Sequence, residues 1–223
     1  MGSARPCQQT RQSESVSPIV MLSETTTQSL AGFDPVRAAI AGRMNVSPKR
    51  LLSPGPSAPQ LEALLGMAAA APDHGHLLPW RFVTIPESQR HRLSDAFVSA
   101  LISRDPSATQ EQMESAAEKA HRSQLLILAI ACLGNVSDGI PDVERLVSLG
   151  AAIQNILVGA TALGFGSGLT SGQAMNSPEV RRLFQLRTDE TAVCFVNIGT
   201  VRERKVSKRV RPQISAFVST LGQ

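Results

Sequence analysis

A chain of 223 residues with 42% hydrophobic and 18% charged residues is long enough to bury a substantial core and too apolar to be disordered over most of its length. The net charge is +4, with no Tyr and one Trp, so the core must be built from Leu, Val, Ile and Ala. Cys7, Cys132 and Cys194 have no Cys-x-x-Cys spacing and read as reduced thiols, which fits a reducing compartment.

Residues 1 to 32 are rich in Ser, Thr and Gln and nearly lack periodicity, so they are expected to form a disordered leader, with Met21 a possible start. They contain no apolar stretch followed by a small-residue cleavage site. One domain is expected over residues 33 to 223. Asp34-Pro35 gives an N-cap and a Pro at the first helical position, and Val36, Ala39 and Ile40 share a face of a short helix ending near Gly42. The next segment, Arg43 to Arg50, cannot continue that helix because of Pro48; it is a cationic loop with one hydroxyl, Ser47, suited to hold an anion.

Ser57 caps a helix whose Leu61, Leu64, Leu65 and Ala68 recur at i, i+3, i+4 and i+7. It ends at Ala71-Pro72, where a loop with Asp73, His74 and His76 leads through Pro79-Trp80-Arg81-Phe82 into a strand ending at Ile85. Polar side chains on a loop between a helix and a strand are placed to bind something, whereas Trp80 alone reads as a core plug. Helices are expected over 87–103, with Leu93, Phe97 and Leu101 on one side, and over 108–122, polar and exposed. The run within 124–136 reads as a strand buried on both faces. Residues 142–163 form the longest helical pattern, apolar nearly all round, which places that helix centrally or in an interface.

Gly164 to Gly172 follows this helix, the reverse of the strand-to-helix order of a dinucleotide loop. Its glycines are expected to end the helix and admit a flat ligand. Ser177-Pro178 opens a short helix, and residues 191–201 form a further buried strand. A basic tail from Arg202 to Arg211 leads to Ile214, Phe217, Val218 and Leu221, a spacing that suggests docking. The tail lacks aromatic residues to stack on bases, so a nucleic-acid partner is not expected. No stretch reaches the ~18 uncharged apolar residues of a membrane span, and no membrane partner is expected. His74, His76 and Asp73 invite a metal, yet no further cluster supplies the remaining ligands, so no metal is expected. P-loop, GxSxG and HExxH motifs are absent.

Ala71-Pro72-Asp73-His74 with Pro79-Trp80-Arg81-Phe82 resembles the flavin-contacting loop of the nitroreductase family, specifically its minimal short-chain subfamily. The resemblance covers roughly residues 34 to 223 and is strongest over 54–85 and 141–184. It implies an α+β fold with a mixed, mostly antiparallel central sheet flanked by helices, in an intertwined cytoplasmic homodimer with FMN at each end of the interface. The implied function is NAD(P)H oxidation by ping-pong hydride transfer through FMN to a nitroaromatic or quinone-like small-molecule acceptor.

In this family the phosphate loop typically reads Arg-Arg/His-Ser-x-Lys/Ser. Asn45 and Val46 stand on its two basic positions, Ser47 on the Ser and Lys49 on the Lys. The resemblance further implies that Pro72, Asp73 and His74 contact the ring from the second subunit, that Leu169, Thr170 and Ser171 lie on its N5 side, and that Arg209 and Arg211 of the C-terminal arm meet the phosphate. No catalytic side chain is implied, because the flavin carries the hydride chemistry. The missing cations at Asn45 and Val46 leave open an FMN-binding carrier or sensor without turnover, and the shared fold leaves open a flavin-fragmenting or dehalogenating relative.

Overall fold

The computed structural model describes residues 32–134, 139–203 and 210–222. Apart from Gly32 the expected leader lies outside them, and so does Arg209. The fold is organised by the run Leu125–Cys132, strand β2, whose alternate side chains enter two different cores. Ile127, Ala129 and Ala131 face one; Leu126, Leu128 and Ile130 face the other. With a helical layer on each face, β2 can be apolar throughout.

The remaining strands are β1 (Trp80–Thr84), β3 (Gly166–Thr170) and β4 (Glu190–Gly199), in the sheet order β1-β2-β4-β3. All their pairings are antiparallel, and the parallel component of the expected mixed sheet is one bridge, Asn45 to Ser167. A bulge in β4 takes the register from Ala129–Cys194 to Ile130–Ala192. It shifts the alternation so that Ala192 joins Phe195 in the second core while Cys194, Val196 and Ile198 stay in the first.

Against the first face pack α2 (Ala58–Ala69) and α5 (Asp142–Ala162). Leu64, Leu149 and Ile156 are fully buried there, each contributing about 2 kcal/mol of apolar transfer. Trp80 is buried in this core, as a plug. Gly159 lets the two helices approach, since a Cβ there would lie 2.6 Å from Met67 Sδ. By length and composition α5 could cross a membrane, but half of that window is buried within this fold. The second face carries α3 (Arg90–Arg104), α4 (Gln110–Glu118) and α6 (Pro178–Leu183). The helix α1 (Phe33–Gly42) buries no residue and touches α5. Its N-cap is Gly32 rather than Asp34, which sits in the first turn and pairs with Arg37 at 3.1 Å.

Cys194 is a buried free thiol that burial pushes up to about 11, so it is inert in the core. Cys7 lies outside the described residues.

Two buried charges fasten the layers. Arg90 is wholly inaccessible and donates to carbonyls: Nε to Ile85 (2.9 Å) and Nη1 to Ala120 (2.7 Å), with longer contacts from Nη2 to Ser123 and Gln124. One guanidinium thus ties the end of β1 to the chain running from α4 into β2. Glu190 has a side chain with no solvent exposure and receives Arg81 through Nε and Nη2 at 2.7 and 2.9 Å, with Arg187 Nη1 at 3.0 Å. Arg181 then donates to the carbonyls of Glu190 and Arg187 at 2.9 and 2.6 Å.

Burial alone would raise the Glu190 carboxyl, but the Arg81 hydrogen bonds, with the Arg187 backbone N–H and both positive charges, outweigh it and hold the group below the usual carboxylate range. A carboxyl depressed by folding stabilises fully above its unfolded value of about 4.3 and loses that contribution as pH falls through the folded value. Glu190→Gln should therefore cost about 3 kcal/mol at neutral pH by leaving two guanidinium groups without their anion. Urea titrations of both proteins between neutral and acid pH should show this gap closing below about pH 4. A gap independent of pH would assign the cost to packing instead.

Candidate functional site

The segment Asn45–Val46 lies along β3, with the Val46 N–H donating to Ser167 O at 2.8 Å. Close approach is possible because β3 carries glycines: a Cβ on Gly168 would collide with the Val46 carbonyl, and one on Gly166 with Val201 and Leu51. Gly166 and Gly168 thus admit the chain's own 45–46 segment, whereas Gly172, with open space beside it, lines the cavity described next. Gly164, at φ +86, does end α5 as expected.

This contact carries the next residues to a shared place. Ser47 opens a 3-10 turn over Pro48–Arg50, and Pro48 lines a cavity of about 440 Å³ together with Thr170 and Ser171 from the end of β3. Phe97, Leu101, Leu126, Met175 and Phe195 supply apolar lining, and Arg104, Lys119 and Arg122 supply charge. A concave cavity of this volume whose lining combines apolar side chains with convergent polar and charged groups has the form of a cofactor or substrate site.

Lys49 is exposed and lies 3.8 Å from Glu118, which also receives Arg122 at 2.8 Å. Asn197, buried beneath the cavity, donates through Nδ2 to Thr170 Oγ1 (3.0 Å) and to the carbonyls of Gly168 and Phe195, while its Oδ1 accepts from Ser123 Oγ at 3.1 Å. The buried Arg122 Nε at the cavity, and Ser167 Oγ within β3 outside its lining, have no hydrogen-bond partner among the described residues.

Other expected site residues fall elsewhere. Of the expected site residues that are described, Thr170 and Ser171 line the cavity, whereas Asn45, Val46, Ser47, Lys49, Pro72, Asp73, His74, Leu169 and Arg211 do not. Asp73 organises its own loop, accepting the Leu78 N–H at 2.7 Å, while its second oxygen is buried without a partner among the described residues. The turn needs Gly75 at φ +73, where a Cβ would lie 2.6 Å from Ile140 Cδ1, and it holds His76 and Leu78 at φ +52 and +46. His74 Nδ1 lies 2.6 Å from Glu144 Oε2 at the start of α5. Arg211 donates to the carbonyls of Ala41 (3.1 Å) and Arg43 (3.3 Å), closing the C-terminus of α1 beside the phosphate loop. Among the described residues no cluster of three or more His, Cys, Asp or Glu could hold a metal.

The cationic lining and Asn197 are absent from the sequence-derived candidates. Arg104, Lys119 and Arg122 sit on or after helices whose polarity reads as solvated, and only the packing of α3 on α4 turns them toward one concavity. Asn197 leaves a fainter signal, as the amide within the apolar run from Thr191 to Val201.

FMN needs cations for its phosphate, hydrogen-bonding groups at the ring edge and an apolar bed. The apolar lining and the hydroxyls of Thr170 and Ser171 suit such a group. Asn45 and Val46 supply no charge, so the phosphate partner has to come from Arg211 or another cation.

The sequence profile of the nitroreductase family matches residues 46–200. A Haemophilus influenzae protein named "Putative NAD(P)H nitroreductase" is 30% identical over 158 residues, which is 71% of this chain and 85% of that protein. Its Escherichia coli namesake YdjA is 30% identical over 174 residues, 78% of this chain and 93% of the relative. Among solved structures, a nitroreductase-like protein from Bacillus cereus superposes with a TM-score of 0.71 at 18% identity, covering 92% of this chain and all of the other. A Bacteroides fragilis nitroreductase solved with bound FMN gives 0.61 at 18% identity, covering 83% and 98%. With most of its ordered domain matched by the family profile and by these relatives, the chain belongs to the nitroreductase family and is an oxidoreductase of nitroreductase type.

Proposed function

We propose that this protein is an FMN-dependent NAD(P)H oxidoreductase that acts in the cytoplasm as a homodimer and reduces nitroaromatic or quinone-like acceptors. The observation that carries the reading is the convergence of Pro48, Thr170 and Ser171 on one cavity with an apolar bed, beside the Asn45–Val46 segment. The names of the curated relatives support NAD(P)H as reductant, and the FMN-bound Bacteroides fragilis structure supports the flavin. When bound, FMN supplies two-electron hydride chemistry between the nicotinamide and the acceptor. Ser47, Lys49, Leu169, Thr170 and Ser171 serve the ring edge and its N5 side, with Asn45 and Val46 contributing backbone alone. Arg211, with Arg209 outside the described residues, meets the phosphate.

The purified protein is expected to be yellow, to release FMN on denaturation, and to bleach anaerobically on addition of NADH or NADPH. A yellow protein that neither nucleotide bleaches would favour the carrier or sensor reading, and a colourless one that fails to bind added FMN would sink both.

Because Asn45 and Val46 replace cations, the arm carries an unusually large share of phosphate affinity. Hydrogen bonds to a charged group contribute about 1.5 to 3 kcal/mol, roughly ten- to more than hundredfold in dissociation constant. Arg211→Ala should weaken FMN binding by that order at moderate salt, whereas Arg92→Ala, an exposed cation on α3, should not. Equal retention of FMN by the two variants would move the phosphate to another cation, Arg43 first.

The ring contacts assigned to Pro72, Asp73 and His74 belong to the second subunit, and the exposed apolar surface supports a dimer. Val143, Leu146 and Val147 are exposed on α5, and Ile214, Phe217 and Val218 on the arm. Such a surface on one chain marks a partner contact. Val147→Glu, at a position 65% exposed in the single chain, should shift sedimentation toward monomer and release FMN at the same time. A wild-type monomer that keeps its flavin at micromolar concentration would overturn this assembly.

A further inference from the structure

We propose that the cavity selects an electron acceptor bearing an anionic group, in the class of aromatic carboxylates and sulfonates, and that Arg104 and Lys119 make the selection; this rests on the oxidoreductase reading above. Every charged residue lining the cavity is a cation, and none is Asp or Glu. The three cations are not equivalent. Arg122 is held by Glu118 at 2.8 Å, and the same carboxylate has Lys49 at 3.8 Å. Asp105, the residue after Arg104, feels its charge but makes no ion pair with it and accepts from Ser107 instead. Arg104, the last residue of α3, and Lys119, in the 3-10 turn after α4, have neither an ion pair nor a hydrogen bond among the described residues.

A cation at the end of a helix is favourable toward the helix dipole and by itself implies no ligand. Here two come from different helices and line one concave surface. Low-dielectric walls concentrate their field and raise the local concentration of anions.

The hydroxyl of Thr170 adds an independent constraint. Its Oγ1 accepts the Asn197 amide, leaving the hydroxyl proton to be donated elsewhere. Asn197 cannot change role, because its Oδ1 is engaged by Ser123 and its Nδ2 is shared with two carbonyls. The cavity therefore offers donors from Arg104, Lys119 and Thr170 beside the rings of Phe97 and Phe195. A flat aromatic body with an acceptor-only anionic substituent matches both halves of that lining.

Three sources could bring such an anion: the acceptor, the phosphates of the nicotinamide dinucleotide, or the flavin phosphate. Calorimetry on the full-length protein as purified, with benzoate against its neutral isostere benzamide, separates the first from the others. Benzoate should bind about tenfold more tightly at low salt, the scale of one exposed charge-assisted hydrogen bond. The preference should shrink as salt rises and collapse toward unity in the double variant Arg104→Gln/Lys119→Gln.

In turnover, the KM ratio of 4-nitrobenzamide to 4-nitrobenzoate should fall in parallel; each nitro-to-nitroso step consumes one NAD(P)H and one proton and releases water. Equal affinity for benzoate and benzamide in the wild type would overturn the proposal. So would a double variant that loses FMN, or shifts only its NADPH-to-NADH ratio, while keeping the benzoate preference. A protein that fails to bind added FMN yet still prefers benzoate would remove the FMN-dependent reading and leave the anion site standing.

Discussion

The site depends on a contact between two backbones. Asn45–Val46 rests directly on β3 at Gly168, where a Cβ would collide with the Val46 carbonyl and force the segments apart, while at Gly166 a Cβ would meet the side chains of Val201, Leu51 and Val46. That contact sets Pro48 beside Thr170 although 122 residues separate them in sequence. It also explains how the loop can lose two cations and keep its path. The Val46 N–H bond to Ser167 and the burial of Val46 need an apolar side chain and a backbone donor, and neither needs charge. Val46 is a packing residue here, and under the proposed function the phosphate has to be met by other residues.

The elements themselves were legible in the sequence where one physical signal dominated. The apolar run of β2, the i, i+3, i+4, i+7 pattern of α2, the length of α5 and the Ser177-Pro178 start of α6 appear at nearly the expected residues, because burial on two faces, amphipathicity and capping leave local traces. The start of α1 was misread by two residues for a local reason as well. Asp34 is as favourable in the first turn, paired with Arg37, as at the cap.

The site was legible only in part, and the division follows sequence separation. Of the two contiguous loops named through resemblance, 45–49 and 169–171, the second brings Thr170 and Ser171 to the cavity, whereas the first reaches it through Pro48, which was not a candidate. The wall built from α3 and α4 was not found. Its cations are separated by 15 and 3 residues along surfaces that differ from solvated helix faces only after tertiary packing. Arg90 is the buried residue that fixes this packing, holding the carbonyl of Ala120 directly after Lys119. A buried guanidinium deep in a polar-looking helix start cannot be told from a surface one by periodicity.

One chain does not assemble all the proposed contacts, and the electrostatics of its two ends show why. The Pro72–His74 loop is fastened to α5 of its own chain by the His74–Glu144 contact, and it contributes nothing to the lining of the cavity. Its three left-handed residues, Gly75, His76 and Leu78, hold the backbone in a shape that its own core does not require, since Trp80 already fills the first core. Strain of this kind persists where a surrounding constraint repeats it. The exposed Val143, Leu146 and Val147 on the adjoining turns of α5 give that constraint a place: a second copy seated on α5 would bury an apolar stripe and meet the strained loop in the same contact. If the proposed ring contacts and dimer hold, assembly and flavin binding would be one equilibrium, because the exposed apolar residues of α5 and the His74–Glu144 contact of the loop share the first turns of a single helix.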